Sequence, residues 1–360
     1  MRVLYFGIYS RNSEYPRNNN IIRGLRQNGV EVIECNHKLA AGYRQRLGVA
    51  MNPLMAVGFL SCLLFSYFVL TCKLIKAPRV QAIVVGHPGY FHVHLARLLR
   101  DLFRPETLLV YDIFIPLYDT MVDDRRLYSP KGMRARLLHC FEASCCRSAD
   151  LCLLDTQANC DYIAEEYGLA AGRLKRVLVG STISHMKGND RDRPKTSFKV
   201  LYFGTYIPLH GVDVILKAAD LLRRQADIRF LMIGTGQLRK PMEAFSNELN
   251  LDNIIFLDWV PTYLLGKTIR SCDVVLGVFG DTAKAMRVIP SKVFDACAIG
   301  APLITAQTKG IREAFTHLQN AYLVPPNDPH ALAAAVMQLK SDTRLRRQIA
   351  SPFVPGGLSM

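Results

Sequence analysis

A short charged helix in the stretch RVIPSKVFDACAIGAPLIT, residues 287–305, carries the residue types best suited to chemistry. The predicted helix opens at Pro290, contains Asp295, and is followed by the apolar strand APLIT. A carboxylate on a helix that faces the carboxyl edge of a parallel sheet is well placed to bind the hydroxyl groups of a ribose. Arg287 and Lys292 lie near the start of this helix and suit a diphosphate. A solvated surface ion network is the alternative interpretation.

Two glycine-containing turns follow predicted strands in the same half of the chain. FGTYIPLHG at 203–211 contains Gly204, which allows close backbone approach, and the following helix N-terminus favours a phosphate. IGTGQL at 233–238 places Gly234 and Gly236 at the next strand end. Its glycine pattern is not G-x-G-x-x-G, because the sixth position is an arginine, and this weakens an NAD interpretation. Ordinary strand–helix connections remain the alternative.

Other strand ends also carry candidate residues. A loop at Trp259 and Val260 is suited to hold a base edge through backbone groups, although the indole is equally suited to anchor a core. Asp112 ends the predicted strand TLLVYD, a natural position for a catalytic carboxylate, although clustered aspartates also form plain loops. HPGYFHVH at 87–94 is suited to an acceptor-binding loop or, more simply, to shaping a turn. No spacing of acidic residues suits a metal, so no metal site and no cofactor are expected.

Strands and helices alternate along the chain, which predicts an α/β protein with parallel sheets. The polar, Gly- and Pro-containing stretch 184–197 predicts a linker between an N-terminal domain at 1–183 and a C-terminal domain at 198–360. Both predicted domains open on VLYFG, which indicates two Rossmann-like units in tandem. The predicted strands are VLYFG (3–7), VEVIEC (30–35), AIVVG (82–86), TLLVYD (107–112) and DLCLLD (150–155), then FKVLYFG (198–204), IRFLMIG (228–234), NIIFLD (253–258), DVVLGV (273–278) and APLIT (301–305).

An uncharged apolar segment at 47–72 interrupts this rhythm, and basic residues flank it. Its length suffices for a membrane span, but a single crossing would separate strands that belong to one sheet. We expect a helix or helical hairpin that packs under the N-terminal domain and dips into the membrane interface. A wholly buried core helix is the alternative.

The composition indicates a packed globular protein with a formal charge of +15. Residues 1–104 hold 14 Lys and Arg against 4 Asp and Glu, which favours anionic partners such as phosphates or acidic lipid headgroups. Nucleic acid is not expected as a partner, because no aromatic residues interleave with the basic charge. The cysteines lack metal spacing and suit a reducing compartment, and the first ten residues predict a strand and not a signal peptide.

Taken together, these motifs resemble those of the retaining GT-B glycosyltransferases of the family-4 type, the glycosyl transferases group 1. The glycine loop, the internal G-x-G, the acidic helix before APLIT and the segment NAYLVPPNDPHALAAAV (320–336) occur in the family's order. The resemblance implies two Rossmann-like domains with parallel sheets facing a cleft, with the nucleotide-sugar donor on the C-terminal domain and the acceptor on the other. It implies transfer with retention and without a metal, with Asp295 at the ribose and Gly204 and Thr205 near the diphosphate.

The chain departs from the family pattern at several positions. Arg287 stands where the first of two glutamates is usual, and the family's phosphate-binding Arg and Lys fall on Thr205 and His210. Arg287 and Lys292 are hypothesised to supply that charge instead. Asp112 stands where many members have a histidine. The sequence SPFVPGGLSM at 351–360 does not predict the family's usual long last helix.

We therefore expect a cytoplasmic glycosyltransferase, a hexosyltransferase type, peripheral on the inner face of the cell membrane and active in cell-surface polysaccharide synthesis. It would use a nucleotide-diphosphate-sugar donor and a lipid-linked or glycan acceptor, with Asp112 orienting the acceptor hydroxyl or the reacting sugar. A sugar-nucleotide epimerase or hydrolase of GT-B fold and a non-catalytic GT-B relative are the alternatives.

Overall fold

The structure is a computed structural model that describes residues 1–9, 16–37, 53–181, 183 and 197–350. The predicted linker at 184–197, apart from its last residue, and the terminal stretch 351–360 lie outside the described residues. The chain divides into two compact units. The first comprises Met1–Tyr118, Met133–Asp155 and Cys160–Leu178, and the second comprises Asp119–Gly132, Thr156–Asn159 and Val179–Met360.

A six-stranded parallel sheet forms the first unit, with the strand order β2-β1-β3-β4-β5-β6. Its strands are nearly continuous apolar runs because helices cover both faces of a parallel sheet. The elements in chain order are β1 (Arg2–Gly7), α1 (Pro16–Gln27), β2 (Glu31–Asn36), α2 (Pro53–Lys76), β3 (Ala82–Val85), α3 (Val93–Phe103), β4 (Leu108–Phe114), α4 (Met133–Ser148), β5 (Leu151–Leu154), α5 (Gln157–Tyr167) and β6 (Leu174–Arg176).

A second six-stranded parallel sheet forms the second unit, with the order β12-β11-β10-β7-β8-β9. A π-helix at Asp119–Asp124 also belongs to this unit. The remaining elements are β7 (Phe198–Phe203), α6 (Val212–Leu221), β8 (Ile228–Ile233), α7 (Arg239–Glu248), β9 (Ile254–Leu257), α8 (Thr262–Ser271), β10 (Val274–Leu276), α9 (Ser291–Ala298), β11 (Leu303–Ala306), β12 (Tyr322–Val324), α10 (Pro329–Ser341) and α11 (Thr343–Ile349).

Both sheets confirm the predicted α/β class and all ten predicted strands. Among the described residues, two further strands, β6 and β12, were not predicted from the sequence. Strand β6 reads LKR and has only one apolar residue, while β12 reads YLV and is followed at once by Pro325 and Pro326, so neither shows an extended apolar run.

Helix α2 connects β2 to β3. These two strands lie on either side of β1 in the first sheet. Its residues 58–76 are long and apolar enough to cross a membrane by length and composition, but only 17% of that stretch is buried. The alternative of a wholly buried core helix is therefore wrong. Ser66, Leu70 and Leu74 form one buried row, and the two leucines join the core under the sheet. Residues 47–52 of the predicted apolar segment lie outside the described residues.

Candidate functional site

Gly204 lies at the carboxyl edge of the second sheet, immediately after β7, with a φ of 137°. Its N–H donates to the carbonyl of Ile233 at the end of β8. A Cβ at this position would lie 2.9 Å from the Lys292 Nζ and 3.0 Å from its Cε. The glycine is thus required both by its backbone conformation and by the end of the Lys292 side chain that packs against it.

Lys292 comes from the first turn of α9 and is buried beside two side chains of the β7 region. Its Nζ lies 4.0 Å from the centre of the Tyr202 ring and 3.4 Å from the Nδ1 of His210. The Tyr202 hydroxyl is 2.8 Å from the same Nδ1. Lys292, His210 and Tyr202 therefore form one buried cluster next to Gly204.

Burial decides the electrostatics of this cluster. Desolvation lowers the pKa of Lys292 well below its usual value. Desolvation, followed by the charge of Lys292, lowers the pKa of His210 well below its usual value, so the imidazole is neutral at pH 7. Among the ion pairs of the described residues, none joins Lys292 to a carboxylate. Burial without such a partner disfavours the charged form of Lys292, and an anionic ligand beside the amine would favour that form.

The second glycine turn packs directly on the first. A Cβ on Gly234 would lie 2.1 Å from the carbonyl oxygen of Gly204, and a Cβ on Gly236 would lie 2.6 Å from the Tyr206 nitrogen and 2.9 Å from the Thr205 Cγ2. Both glycines also have positive φ values, of 126° and 148°. The structure thus brings together Gly204, Thr205, His210, Gly234, Gly236 and Lys292 among the predicted donor-binding residues.

Arg239 is a structural residue of this region that was not predicted from the sequence. Its guanidinium Nη1 donates to the carbonyl oxygens of Gly234 at 2.7 Å and Leu257 at 3.0 Å. The guanidinium carbon also lies 5.2 Å from the ring centre of Tyr206 and 4.8 Å from that of Phe256. One side chain thereby ties together the ends of three neighbouring strands, β7, β8 and β9. The sequence signal for this role is the arginine in GTGQLR, which stands where the G-x-G-x-x-G pattern has its last glycine.

Asp295 is mostly buried on α9 and accepts a hydrogen bond of 2.5 Å from the Ser181 hydroxyl. Desolvation raises the pKa of Asp295 to about 6, although the bond from Ser181 opposes this shift. The side chain is therefore a carboxylate that already accepts from one hydroxyl, which is the interaction that a ribose would offer.

Arg287 forms an ion pair with Asp119 of the π-helix, at 2.7 Å, and Lys284 approaches the same carboxylate at 3.5 Å. Asp119 is fully buried. The positive charge of Arg287 is thus partly neutralised within the second unit. The role predicted for it at a diphosphate stays a prediction.

Trp259 and Val260 follow the edge strand β9. The indole is 53% exposed, so its alternative role as a core anchor is wrong. Val260 is half-buried. Binding of a base at this loop stays a prediction.

In the first unit, Asp112 is fully buried on β4 and bonded to Arg17. The Arg17 Nε donates to both carboxylate oxygens at 3.1 Å, and its Nη2 donates to Oδ1 at 2.9 Å. His87 lies in the same region, where burial lowers its pKa to about 4. The catalytic role of Asp112 stays a prediction, and the carboxylate that would perform it is held by an arginine.

Within the described ranges, no group of three or more His, Cys, Asp or Glu side chains is placed to hold a metal ion.

The order of motifs in the second unit matches a known protein family. Residues 187–351 match the Glycosyl transferases group 1 family. The group 1 domain thus covers the glycine turns, Lys292 and Asp295. Its span also coincides with most of the second unit.

Two curated relatives are glycosyltransferases by name. A D-inositol 3-phosphate glycosyltransferase of Thermomonospora curvata is 25% identical over 231 residues, which cover 57% of this chain and 52% of the relative. A putative colanic acid biosynthesis glycosyltransferase, WcaL of Escherichia coli K12, is 26% identical over 194 residues, 48% of this chain and 47% of the relative. The chain therefore spans about half the length of the curated relatives it matches.

Two solved structures resemble nearly the whole chain. HepE of Anabaena in complex with UDP has a TM-score of 0.63 at 16% identity, covering 98% of this chain and 92% of that one. Sucrose-phosphate synthase of Thermosynechococcus elongatus has a TM-score of 0.70 at 16% identity, with coverage of 97% and 92%. These likenesses confirm the predicted GT-B fold.

Proposed function

We propose that this protein is a retaining glycosyltransferase that moves a sugar from a nucleotide-diphosphate-sugar donor to a lipid-linked or polysaccharide acceptor. The observation that carries the proposal is the buried amine of Lys292, which lies against Gly204 at the carboxyl edge of a parallel sheet. The reaction breaks the bond between the anomeric carbon and the diphosphate, so negative charge develops on the departing diphosphate. The negative charge of the diphosphate would favour the protonated form of Lys292, and a fixed cation at that point would stabilise the transition state more than the ground state.

The glycine turns would complete the diphosphate site. Gly204, Gly234 and Gly236 let the two turns pack closely together beside Lys292, and these turns would offer backbone amides to the diphosphate. Thr205 and His210 border the same turns. Charge neutralisation by Lys292 and by backbone amides, with Arg287 as a further predicted cation, would let the reaction proceed without a metal ion.

The nucleoside would extend from the diphosphate along the same unit. Asp295 would bind the ribose hydroxyls by exchanging its bond from Ser181 for bonds from the ligand. Trp259 and the backbone of Val260 would hold the base, since the indole is already exposed.

The acceptor and its location are further parts of the proposal. Asp112, oriented by Arg17, would direct the acceptor hydroxyl or the reacting sugar. Relatives named for colanic acid, amylovoran and lipopolysaccharide core synthesis support an acceptor of the cell surface. Solved structures of HepE in complex with UDP and with UDP-glucose support a nucleotide-sugar donor. The protein would act in the cytoplasm, peripheral on the inner face of the membrane.

A thermal-shift titration tests the donor site first. Wild type, Asp295→Ala and the control Asp252→Ala, which removes an exposed carboxylate of the same unit, are melted with UDP, GDP and NAD. We expect UDP or GDP to raise the melting temperature of wild type and control through ligand linkage, and to do so much less in Asp295→Ala. Stabilisation by NAD alone would overturn the proposal.

A transfer assay with the stabilising nucleotide's sugar conjugates then tests the reaction. Sugar must appear on an added glycan or lipid acceptor, and NMR of the product must show the donor's anomeric configuration. Release of free or epimerised sugar without an acceptor would instead assign the epimerase or hydrolase activity. Nucleotide binding without any turnover would assign a non-catalytic relative.

A further inference from the structure

Helices α2, α3 and α4 of the first unit pack side by side, since α2 contacts α3 and α3 contacts α4. The ring centre of Phe59 on α2 lies 5.9 Å from that of Phe91, which comes shortly before α3. The rings of His94 and Phe141 meet at 6.3 Å between α3 and α4. The three helices therefore form one continuous layer.

Each of these helices has a buried row that faces the core. Leu70 and Leu74 of α2, Ala96 and Leu99 of α3, and Cys145 and Cys146 of α4 all belong to the same apolar core. These inner rows therefore cover the sheet, and the outer rows of the three helices are not needed for that packing.

Each helix nevertheless has a second apolar row that points away from the core. The spacing is four residues in every case, which places both members on one side of a helix. These residues are Leu64 and Phe68 on α2, Leu98 and Leu102 on α3, and Leu137 and Phe141 on α4, and we call them the apolar face. Their exposed fractions lie between 37% and 67%. Three adjacent exposed rows exceed the isolated apolar residues that are normal on a protein surface.

The charges on the same three helices identify the partner. The helices carry seven Lys and Arg but only two Asp and Glu. One of the two acidic residues, Glu142, is buried and accepts from the N–H of Leu117 and Tyr118. Exposed basic residues lie at the end of α2, Lys73 and Lys76, and at the start of α4, Arg134 and Arg136. An apolar surface with basic residues around it complements the acyl chains and anionic headgroups of a lipid bilayer.

We propose that the apolar face is a membrane-docking surface built from three helices, which lies on an anionic bilayer and does not span it. A span is inconsistent with the fold, because the inner row of α2 packs on the sheet that its two flanking strands share. The surface thus extends well beyond the apolar segment around α2. The inference rests on the proposed function only in its purpose, which is to bring the first unit to a lipid-linked acceptor.

Vesicle flotation of the full chain tests this surface. The vesicles contain phosphatidylcholine alone or with about 30% phosphatidylglycerol, the anionic component that basic residues should attract. We expect the wild type to float with the anionic vesicles and to bind less as salt is raised, because screening weakens the headgroup attraction. Failure of wild type to float with either vesicle would overturn the proposal.

Variants separate the three-helix surface from an anchor formed by α2 alone. Leu98→Glu/Leu102→Glu changes only α3, and Leu137→Glu changes only α4. We expect each to lower the partition coefficient about tenfold or more, because charged groups replace buried apolar surface. The control Leu221→Glu places the same charge at an exposed leucine of the second unit and should bind like wild type. Wild-type binding by the α3 and α4 variants would overturn the three-helix surface.

Two further measurements complete the test. Unchanged circular dichroism and nucleotide-induced thermal shift in the variants would show that they are folded and that docking is separate from donor binding. If nucleotide binding is absent while flotation persists, the proposed function fails and the docking surface stands. Light scattering tests whether a second copy of the chain covers the apolar face instead. If the wild type is a dimer and Leu98→Glu/Leu102→Glu is a monomer, a second copy covers the face and the proposal is overturned.

Discussion

The segment VLYFG occurs at 3–7 in the first unit and at 200–204 in the second, and different side chains lie beside its final glycine in the two units. Gly7 and Gly204 have φ values of 136° and 137°. In the first unit, a Cβ added to Gly7 would lie 2.0 Å from the Nε2 of His92. In the second unit, a Cβ added to Gly204 would lie 2.9 Å from the Nζ of Lys292. Burial lowers the pKa of His92 to about 3, so this ring is neutral. Identical strands thus meet a neutral group in one unit and an amine suited to anions in the other.

The buried cations of the two units differ in the same way. Arg17 of the first unit is bonded to the buried carboxylate of Asp112, so its charge is compensated inside the protein. Lys292 of the second unit packs against Tyr202 and His210, neither of which carries a negative charge at pH 7. The compensated cation supports the fold, while the uncompensated one is available to a ligand.

The largest effect is expected from removing the compensated cation. Arg17→Met leaves Asp112 buried without its partner and should destabilise the first unit by about 3–5 kcal/mol. Urea unfolding followed by circular dichroism measures the loss. As a control, Arg17→Met/Asp112→Leu should recover much of the stability, because no charge remains buried. A stable single variant would break the comparison.

Alanine at the two glycines should separate packing from binding. Gly7→Ala sets a methyl group against the enclosed ring of His92 and should cost about 3 kcal/mol of unfolding free energy. Gly204→Ala meets the end of a flexible lysine and should cost less stability but weaken nucleotide binding. Urea unfolding and calorimetric titration measure both quantities. Equal losses of stability in the two variants would show that the glycine surroundings do not differ as described.

Removing the uncompensated cation should affect binding and not folding. Lys292→Met should weaken nucleoside diphosphate binding about tenfold to hundredfold, because one charge-assisted bond is lost. Its stability should be unchanged or higher, since a desolvated amine is removed. Isothermal titration and thermal melting provide the two values. His92→Leu is the matched change in the first unit and should bind like wild type; a Lys292→Met variant that does the same would exclude the lysine from the site.

The pH dependence of donor binding should sharpen the role of Asp295. Its carboxyl must be charged to accept from ribose hydroxyls, so affinity for the nucleotide-sugar should fall as pH drops below about 6, by up to about tenfold per pH unit. The diphosphate of a nucleotide-sugar does not titrate in this range. Asp295→Asn should bind more weakly above pH 6 and show no such slope. A slope that persists in Asp295→Asn would belong to another group.

The same shift has a consequence for stability. Because the pKa of Asp295 is raised in the folded state, the native protein holds this proton more firmly than the unfolded chain does. The corresponding stability is present below the ordinary value of 3.8 and is lost as pH rises to about 6.

The smallest effect is expected at Arg239. Arg239→Lys keeps a charge but loses the planar contacts with Tyr206 and Phe256 and at least one of the two carbonyl bonds. Looser turns should weaken nucleotide binding about fivefold, a change near 1 kcal/mol. The control is Glu243→Gln, titrated with the same nucleotide. It removes the ion pair with Arg239 but leaves the two carbonyl bonds in place. A loss of thermal stability without a change in affinity would make Arg239 a purely structural residue.

Strands, glycine turns and the acidic helix could be predicted from sequence because each rests on a local pattern. Apolar runs bounded by turn residues identified ten strands, and the identical VLYFG segments indicated the tandem units. The pairing of Arg17 with Asp112 could not be predicted, since 95 residues separate them and no local pattern links them. The engagement of Arg287 by Asp119 was missed for the same reason, with a separation of 168 residues.

The sequence by itself determined the α/β class, the parallel strands and the positions where only glycine fits. These features depend on periodicity and backbone conformation, which neighbouring residues specify. Tertiary structure alone decided that Lys292 packs on Gly204 while His92 packs on Gly7, and that Arg239 ties three strand ends together. Burial and charge compensation arise only when distant segments meet, because desolvation is a property of the assembled surroundings and not of the residue.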